Sequence, residues 1–194
     1  GSNTIRLSVY DIGDFENSSS DQSISVVFQG KKMVGLASFV RKGKMTEQGI
    51  KSAISALKKY KAILKKENVD EVFVFATASI RNISNRNSVL KSIERSVGTK
   101  IEILSGEDEA KTCYLGAVSS INIPDGILID IGGGSTEIVI FEKGEILKAF
   151  SMPIGSLNMI PASPKRSNIN KSEVKRVKKI VRRELKKAGG IEDA

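Results

Sequence analysis

The chain has 194 residues, of which 40% are hydrophobic, and this is enough apolar material for one globular core or two small ones. It has no histidine and one cysteine, Cys113, which excludes an internal disulfide and the histidine-dependent zinc sites and catalytic triads. No apolar run approaches the roughly 20 residues that cross a bilayer, and no signal-peptide pattern opens the chain, so we expect a soluble, cytoplasmic protein with no membrane partner.

The first part of the chain is predicted to be mainly β structure. Apolar spacing predicts a strand at Thr4–Tyr10, a polar loop at Asp14–Gln22, and a hairpin of Ser23–Gln29 and Met33–Val40 that turns at Gly30-Lys31.

Helices and strands then alternate. Apolar residues at helical spacing predict one helix from Thr46 to about Lys66 and a second that carries Val89, Ile93 and Val97 and ends near Gly98. The Val- and Phe-rich stretch Glu71–Ala76 predicts a central parallel strand covered on both faces. A short strand at Lys100–Leu104 and a helix capped by Ser105 follow.

The strand pattern of the opening residues returns after residue 126. The predicted elements are strands at Ile127–Ile131, Thr136–Phe141 and Glu145–Phe150 and a helix from about Lys171 to Lys187. The repeat indicates a duplicated α/β fold with domains at residues 1–122 and 123–194. We expect both ends to be cut short and the second domain, with three strands and one helix, to have an uncovered, mobile sheet.

The segment from Asp130 to Glu137 carries the strongest chemical signal. An apolar strand ends in Asp130, three glycines follow, and Ser135 and Glu137 come next. Glycine amides and a hydroxyl are suited to phosphate oxygens, and a carboxylate at the strand end is suited to Mg²⁺. A hairpin turn that merely needs flexible glycines remains the alternative.

Two further segments lie where strands end and helices begin. Arg81 follows a predicted strand, where a guanidinium can grip phosphate with two hydrogen bonds, although a solvated arginine is the commoner case. The acids of Ser105-Gly106-Glu107-Asp108-Glu109 are explained by the helix macrodipole, but one of them could also orient a water molecule for phosphoryl transfer.

In their order and spacing these segments resemble the exopolyphosphatase and guanosine pentaphosphate phosphohydrolase (Ppx/GppA) family. The resemblance runs from Gly1 to about Leu157 and includes the Thr77–Asn85 segment and Met152-Pro153-Ile154-Gly155. It implies a ribonuclease H-like, actin-like ATPase fold with the active site between its two halves. It also implies hydrolysis of phosphoanhydride bonds with Mg²⁺ or another divalent cation, although the cut-short chain itself is expected to have little activity.

The resemblance assigns roles to individual residues. It implies that Glu109 is the catalytic carboxylate, that Glu137 is a second acid near water and metal, and that Asp130 is the metal-side acid. The residues that it implies for substrate binding are Ser2, Asn3, Arg6, Arg81, Asn85, Gly133, Gly134 and Ser135.

Charge suggests a polyanionic partner. The formal net charge is +9, and the segment from Lys165 to Lys187, with eleven basic and two acidic residues, accounts for all of the excess. A solvated helix face and a surface that steers a long polyanion both explain it. Nucleic acid is not expected as the partner, because no aromatic residues interleave with these charges.

Three functions remain open from the sequence. The first is release of terminal orthophosphate from polyphosphate or guanosine pentaphosphate, with a homodimer as an option for the full-length protein. The alternatives are an actin-like kinase or ATPase, and a sensor that binds polyphosphate or a guanosine nucleotide without hydrolysis.

Overall fold

The structure is a computed structural model that describes residues 1–13, 24–159 and 170–189. The predicted polar loop at 14–22 lies outside the described residues. The chain forms two compact units: the first contains Gly1 and residues 3–74 and 84–101, and the second contains Ser2 and residues 75–83 and 102–194. The predicted domain boundary at residue 122 rests on a sequence repeat and stays a prediction.

The first unit combines a β-ribbon with a pair of helices. Its elements are β1 (Thr4–Ile12), β2 (Ile24–Met33), a 3-10 turn (Leu36–Phe39), β3 (Val40–Arg41), β4 (Lys44–Met45), α1 (Glu47–Lys66) and α3 (Arg86–Val97). β1 and β2 are antiparallel, and α1 packs against both β1 and α3. Thr46 caps α1 and Gly98, with φ 70°, ends α3, so both predicted helices are confirmed.

The hairpin predicted at Gly30-Lys31 is wrong. β2 runs straight through these residues and pairs with β1 from Thr4↔Met33 to Ile12↔Ile24. Gly30 packs closely against the ring of Phe28, from which a Cβ at this position would lie 2.7 Å.

The second unit carries the remaining elements. They are β5 (Phe75–Ala76), α2 (Ala78–Arg81), β6 (Glu102–Ile103), α4 (Gly106–Val118), β7 (Gly126–Ile131), β8 (Thr136–Glu142), β9 (Glu145–Met152) and α5 (Lys171–Lys187). β5 and β6 are parallel, as predicted, while β7, β8 and β9 form an antiparallel sheet in that order.

The strand predicted at Glu71–Ala76 is shorter and less covered than expected. Only Phe75 and Ala76 pair with β6, and Phe73 and Phe75 are 69% and 51% exposed within the described structure. The richness in Val and Phe therefore indicated the parallel pairing correctly and the coverage incorrectly.

The expectation of an uncovered second sheet is also wrong. On one face, Ala110 and Tyr114 of α4 pack with Val139 and Phe141 of β8. On the other, α5 places Ile180, Val181 and Leu185 against a cluster that contains Ile138 and Ile140 of β8. β8 is buried on both faces from Thr136 to Phe141, so this sheet is the centre of a helix-sheet-helix sandwich.

This packing makes β8 the strand on which the second unit depends. We expect Val139→Ala, at a fully buried position, to lower the free energy of unfolding by about 2 kcal/mol through loss of packing. The control is Ile129→Ala on β7, where the larger side chain is 57% exposed and the cost should be below about 1 kcal/mol. Urea unfolding measures both, and equal costs would contradict the two-sided packing of β8.

Candidate functional site

A glycine turn joins β7 to β8 and is held by the segment that follows β9. The amides of Ser156 and Leu157 donate to the carbonyls of Gly132 and Gly133, each at 2.9 Å, and the Asn158 side chain donates to the carbonyl of Gly134 at 3.1 Å. Three successive carbonyls of the turn are thus tied down on one side.

Gly155 makes this contact possible. A Cβ on Gly155 would lie 2.6 Å from the backbone carbon of Gly133 and 2.7 Å from the carbonyl oxygen of Gly132. Since backbone cannot give way as a flexible side chain can, any other residue here would push the segment away from the turn. The Met152-Pro153-Ile154-Gly155 motif therefore has a direct structural purpose.

The donors of the turn are uncommitted. Within the part of the chain that the structure describes, the amides of Gly133, Gly134 and Ser135 have no hydrogen-bond partner. The Ser2 hydroxyl lies beside Gly134, so closely that a Cβ on Gly134 would be 2.5 Å from its oxygen. Successive free amides next to a hydroxyl are the arrangement that binds phosphate oxygens in anion-binding turns.

A row of polar side chains crosses the sheet just beyond the turn. Asp130 on β7 lies opposite Glu137 on β8, and Glu137 lies opposite Ser151 on β9. Directly opposed residues share a face of the sheet with Cβ atoms roughly 5 Å apart. This is the face that α4 covers, because Val139, two residues along the same strand, packs against Ala110 and Tyr114.

Glu137 is the buried member of the row. It is 2% exposed, and the Ser151 hydroxyl donates to its Oε1 at 2.7 Å. Burial raises the pKa of Glu137, hydrogen bonds from Ser151 and Ser135 oppose this, and the charges of Glu109 and Asp130 raise it further. Negative charges therefore converge where burial already disfavours them.

Arg81 and Glu109 form the second part of the site. Arg81 Nη1 donates to Glu109 Oε2 at 2.6 Å and to the carbonyl of Leu104 at 3.0 Å. Arg81 Nη2 donates to the Ser151 hydroxyl at 3.3 Å. Both side chains of the ion pair are 15% exposed, so this interaction is stronger than a surface salt bridge. A hydrogen-bonded chain thus runs from Glu109 through Arg81 and Ser151 to Glu137.

Ser151 was missed by the sequence reasoning. Its hydroxyl accepts from Arg81 and donates to Glu137, which makes it the bridge between the two parts of the site. The predicted third strand ends at Phe150, one residue short of Ser151, whereas the observed β9 continues to Met152, so finding Ser151 required the strand register. α4 approaches it closely at Gly106, where a Cβ would lie 2.8 Å from the Ser151 Cβ.

Cys113 lies one helical turn beyond Glu109. Its thiol donates to Asp130 at 3.4 Å, and burial, followed by the hydrogen bond to Asp130, raises its pKa to about 12. The thiol therefore stays protonated at neutral pH and acts as a weak donor to the carboxylate.

The carboxylates of the row are the groups that could hold a divalent cation. The described residues hold no group of three or more histidine, cysteine and acidic side chains arranged as a ready-made ion cage. Asp130 and Glu137 nevertheless fit Mg²⁺, which commonly binds through one or two carboxylates and completes its shell with water and substrate phosphates.

Three predicted substrate residues belong to the first unit. Arg6 is exposed on β1 opposite Lys31, and the Asn3 carbonyl accepts from the amides of Val34 and Gly35. Asn85 uses both ends of its side-chain amide on the backbone of Met45, at 3.0 Å each, which gives it a structural role. Substrate contacts of these three residues stay predictions.

Glu137 allows a test of how the site affects stability. A raised pKa means that the folded state holds the proton more tightly than the unfolded chain, so stability falls as pH rises from the ordinary carboxyl range through the pKa of Glu137. We expect Glu137→Gln to raise the free energy of unfolding at neutral pH and to flatten this fall. Thermal unfolding across pH 4 to 8 (roughly the range for a shifted carboxyl) measures it, with Glu142→Gln at the exposed end of β8 as the control. A variant less stable than the parent at neutral pH would contradict the destabilising effect that we assign to the buried charge of Glu137.

Comparison with known proteins identifies the family of this chain. The model of the Ppx/GppA phosphatase family matches residues 17–190. An exopolyphosphatase from Cytophaga hutchinsonii aligns over 95% of this chain and 58% of its own, with a TM-score of 0.84 and 28% identity. A Ppx/GppA family member from Aquifex aeolicus aligns over 96% of this chain and 59% of its own, with a TM-score of 0.72 and 29% identity.

Curated relatives are more varied. A bifunctional 3-dehydroquinate synthase/phosphatase from Fusobacterium nucleatum is 32% identical over 166 residues, which cover 82% of this chain and 24% of that protein. Retrograde regulation protein 2 of Saccharomyces cerevisiae is 38% identical over 114 residues, 55% of this chain and 19% of that protein. The chain thus spans a quarter or less of these curated relatives and about three fifths of the solved structures. The matched family model and the shared fold confirm the predicted α/β architecture, and the chain belongs to the Ppx/GppA phosphatase family.

Proposed function

We propose that the protein is a phosphohydrolase that releases terminal orthophosphate from inorganic polyphosphate or guanosine pentaphosphate. The observation that carries this proposal is the glycine turn, whose amides at Gly133, Gly134 and Ser135 have no hydrogen-bond partner among the described residues, while the three glycine carbonyls accept from residues 156–158. Such a turn offers donors to an anion and keeps its acceptors away from it. Family membership supports phosphatase chemistry at this turn.

The Arg81–Glu109 ion pair supports a mechanism that substrate itself starts. A phosphate on the turn would attract Arg81, because a guanidinium can bind phosphate with two parallel hydrogen bonds, whereas Arg81 donates one to Glu109. The carboxylate of Glu109 would then lose its hydrogen-bond donor and become free to orient a water molecule. Phosphoryl transfer depends mainly on such positioning and on charge neutralisation.

Asp130 and Glu137 are the residues that would hold Mg²⁺. When bound, the cation would neutralise the converging carboxylates and polarise the phosphate oxygens. Ser151 would keep Glu137 in place, since its hydroxyl donates to Oε1 of that side chain.

Attack then follows the in-line course of phosphoryl transfer. Water oriented by Glu109 adds to the terminal phosphorus, the bridging oxygen leaves with the shortened chain, and the proton of the water passes to Glu109 or to solvent. Orthophosphate and a substrate one phosphate shorter are the products. A kinase would need an acceptor in place of this water, and a sensor would bind without turnover.

The role of Glu109 is testable by a change that keeps its shape. We expect Glu109→Gln to reduce phosphate release by at least about 10²-fold, the lower end of the general acid-base contribution. Affinity for tripolyphosphate should be retained or improved, because Arg81 no longer has an anionic competitor. Orthophosphate release and equilibrium binding measure the two effects.

Glu107→Gln is the matched control for this variant. Glu107 lies in the same first turn of α4, but its side chain is 61% exposed and pairs only with Lys111 within the described structure. This control should keep its activity. A loss under tenfold in Glu109→Gln, or an equal loss in both variants, would remove Glu109 from the mechanism.

A further inference from the structure

One face of α5 is a stripe of cations. Six of its exposed basic side chains have no ion-pair partner among the described residues, and at about 100° per residue they fall within an arc of about 100°. They are Lys171, Lys175, Lys178, Lys179, Arg182 and Lys186. The remaining cations of the helix are engaged elsewhere, for example Arg183 and Lys187 with Glu184.

The helix presents this stripe rigidly. Asn170 and Glu173 form a capping box at its start, and Ile180, Val181 and Leu185, on the part of the helix surface outside the stripe, pack against the sheet. With 17 residues the helix is about 25 Å long, so the charges repeat along a straight line rather than forming a cluster.

The stripe begins on the side of the sheet where the glycine turn lies. Arg176 contacts the carbonyl of Met159, and Met159 follows Leu157, whose amide donates to Gly133. The far end of the helix lies near Lys148 in the middle of β9, since a Cβ on Gly189 would be 3.1 Å from the Lys148 ammonium. A chain held by its end at the turn would therefore meet the start of α5 before its end.

We propose that the cationic stripe of α5 is a second binding surface for long, linear polyphosphate. This rests on the proposed function, because the chain that binds here is the substrate whose end occupies the glycine turn. A straight row of unpaired cations matches a linear polyanion of regular charge spacing. The stripe contains no aromatic residue on which bases could stack, which favours polyphosphate over single-stranded nucleic acid.

The test compares two charge-matched triple variants of the full chain. One changes Lys175, Lys179 and Arg182 to Gln, and the control changes the exposed Lys51, Lys58 and Lys65 of α1 to Gln. Each variant loses three positive charges. Binding of long-chain polyphosphate, tripolyphosphate and a single-stranded RNA oligomer is measured by competition at several salt concentrations, and orthophosphate release from tripolyphosphate is followed in parallel.

We expect the α5 variant to bind long polyphosphate about tenfold more weakly, with a salt slope reduced by about two for three lost contacts at roughly 0.7 per charge. Its affinity for tripolyphosphate should change less than about twofold, and the α1 control should bind like the parent. Equal weakening in both triple variants, or RNA bound by the stripe as tightly as polyphosphate, would overturn the proposal. If the parent releases no orthophosphate but the α5 effect on binding persists, the proposed function fails and the binding surface stands. If release is normal and the α5 variant binds like the parent, only the binding surface fails.

Discussion

The ion pair between Arg81 and Glu109 is the interaction on which the candidate site depends. Arg81 ends a four-residue helix behind β5, Glu109 lies in the first turn of α4, and the same guanidinium reaches Ser151 on β9. One side chain therefore links three separate segments of the second unit. Breaking a buried pair of this kind by removing one partner leaves an uncompensated charge, whereas exchanging one anion for another does not. A phosphate can therefore replace the Glu109 carboxylate as the partner of Arg81 at little cost, which would release Glu109 to orient water.

Burial of Glu137 sets the second constraint. Because α4 and α5 cover β8, its first residues are buried like the core. One of them is the acid Glu137, which lies opposite Asp130. Ser151 and Ser135 offset part of this cost by hydrogen bonding. The remaining strain is of the kind that proteins keep at functional sites, because a cation or a substrate relieves it there. The packing that stabilises the second unit therefore also buries Glu137 close to the negative charges of Asp130 and Glu109.

Local chemistry explains what could be predicted from the sequence. The caps at Thr46, Ser105 and Gly98 define helix ends through one or two residues each, so they can be recognised in the sequence. The three sequence motifs likewise contain Arg81, Glu109 and Glu137, which lie close together in the second unit. The errors concern packing between distant segments. Glycine occurs both in turns and where backbone approaches a side chain closely, and at Gly30 the pairing with Leu7 and the nearby Phe28 ring show the second case. Ser151 has no local signature at all, since its role follows from lying opposite Glu137 in the strand register.

In the proposed mechanism, water attacks the terminal phosphorus of a chain held at the glycine turn. Hydrolysis of tripolyphosphate in ¹⁸O-labelled water is the decisive experiment, with the oxygen content of each product read by mass spectrometry. We expect one labelled oxygen in each released orthophosphate and none in the pyrophosphate that leaves, because the bond to the terminal phosphorus is the one that water replaces. Label in the pyrophosphate, or transfer of the terminal phosphate to an acceptor alcohol with no orthophosphate released, would rule this mechanism out.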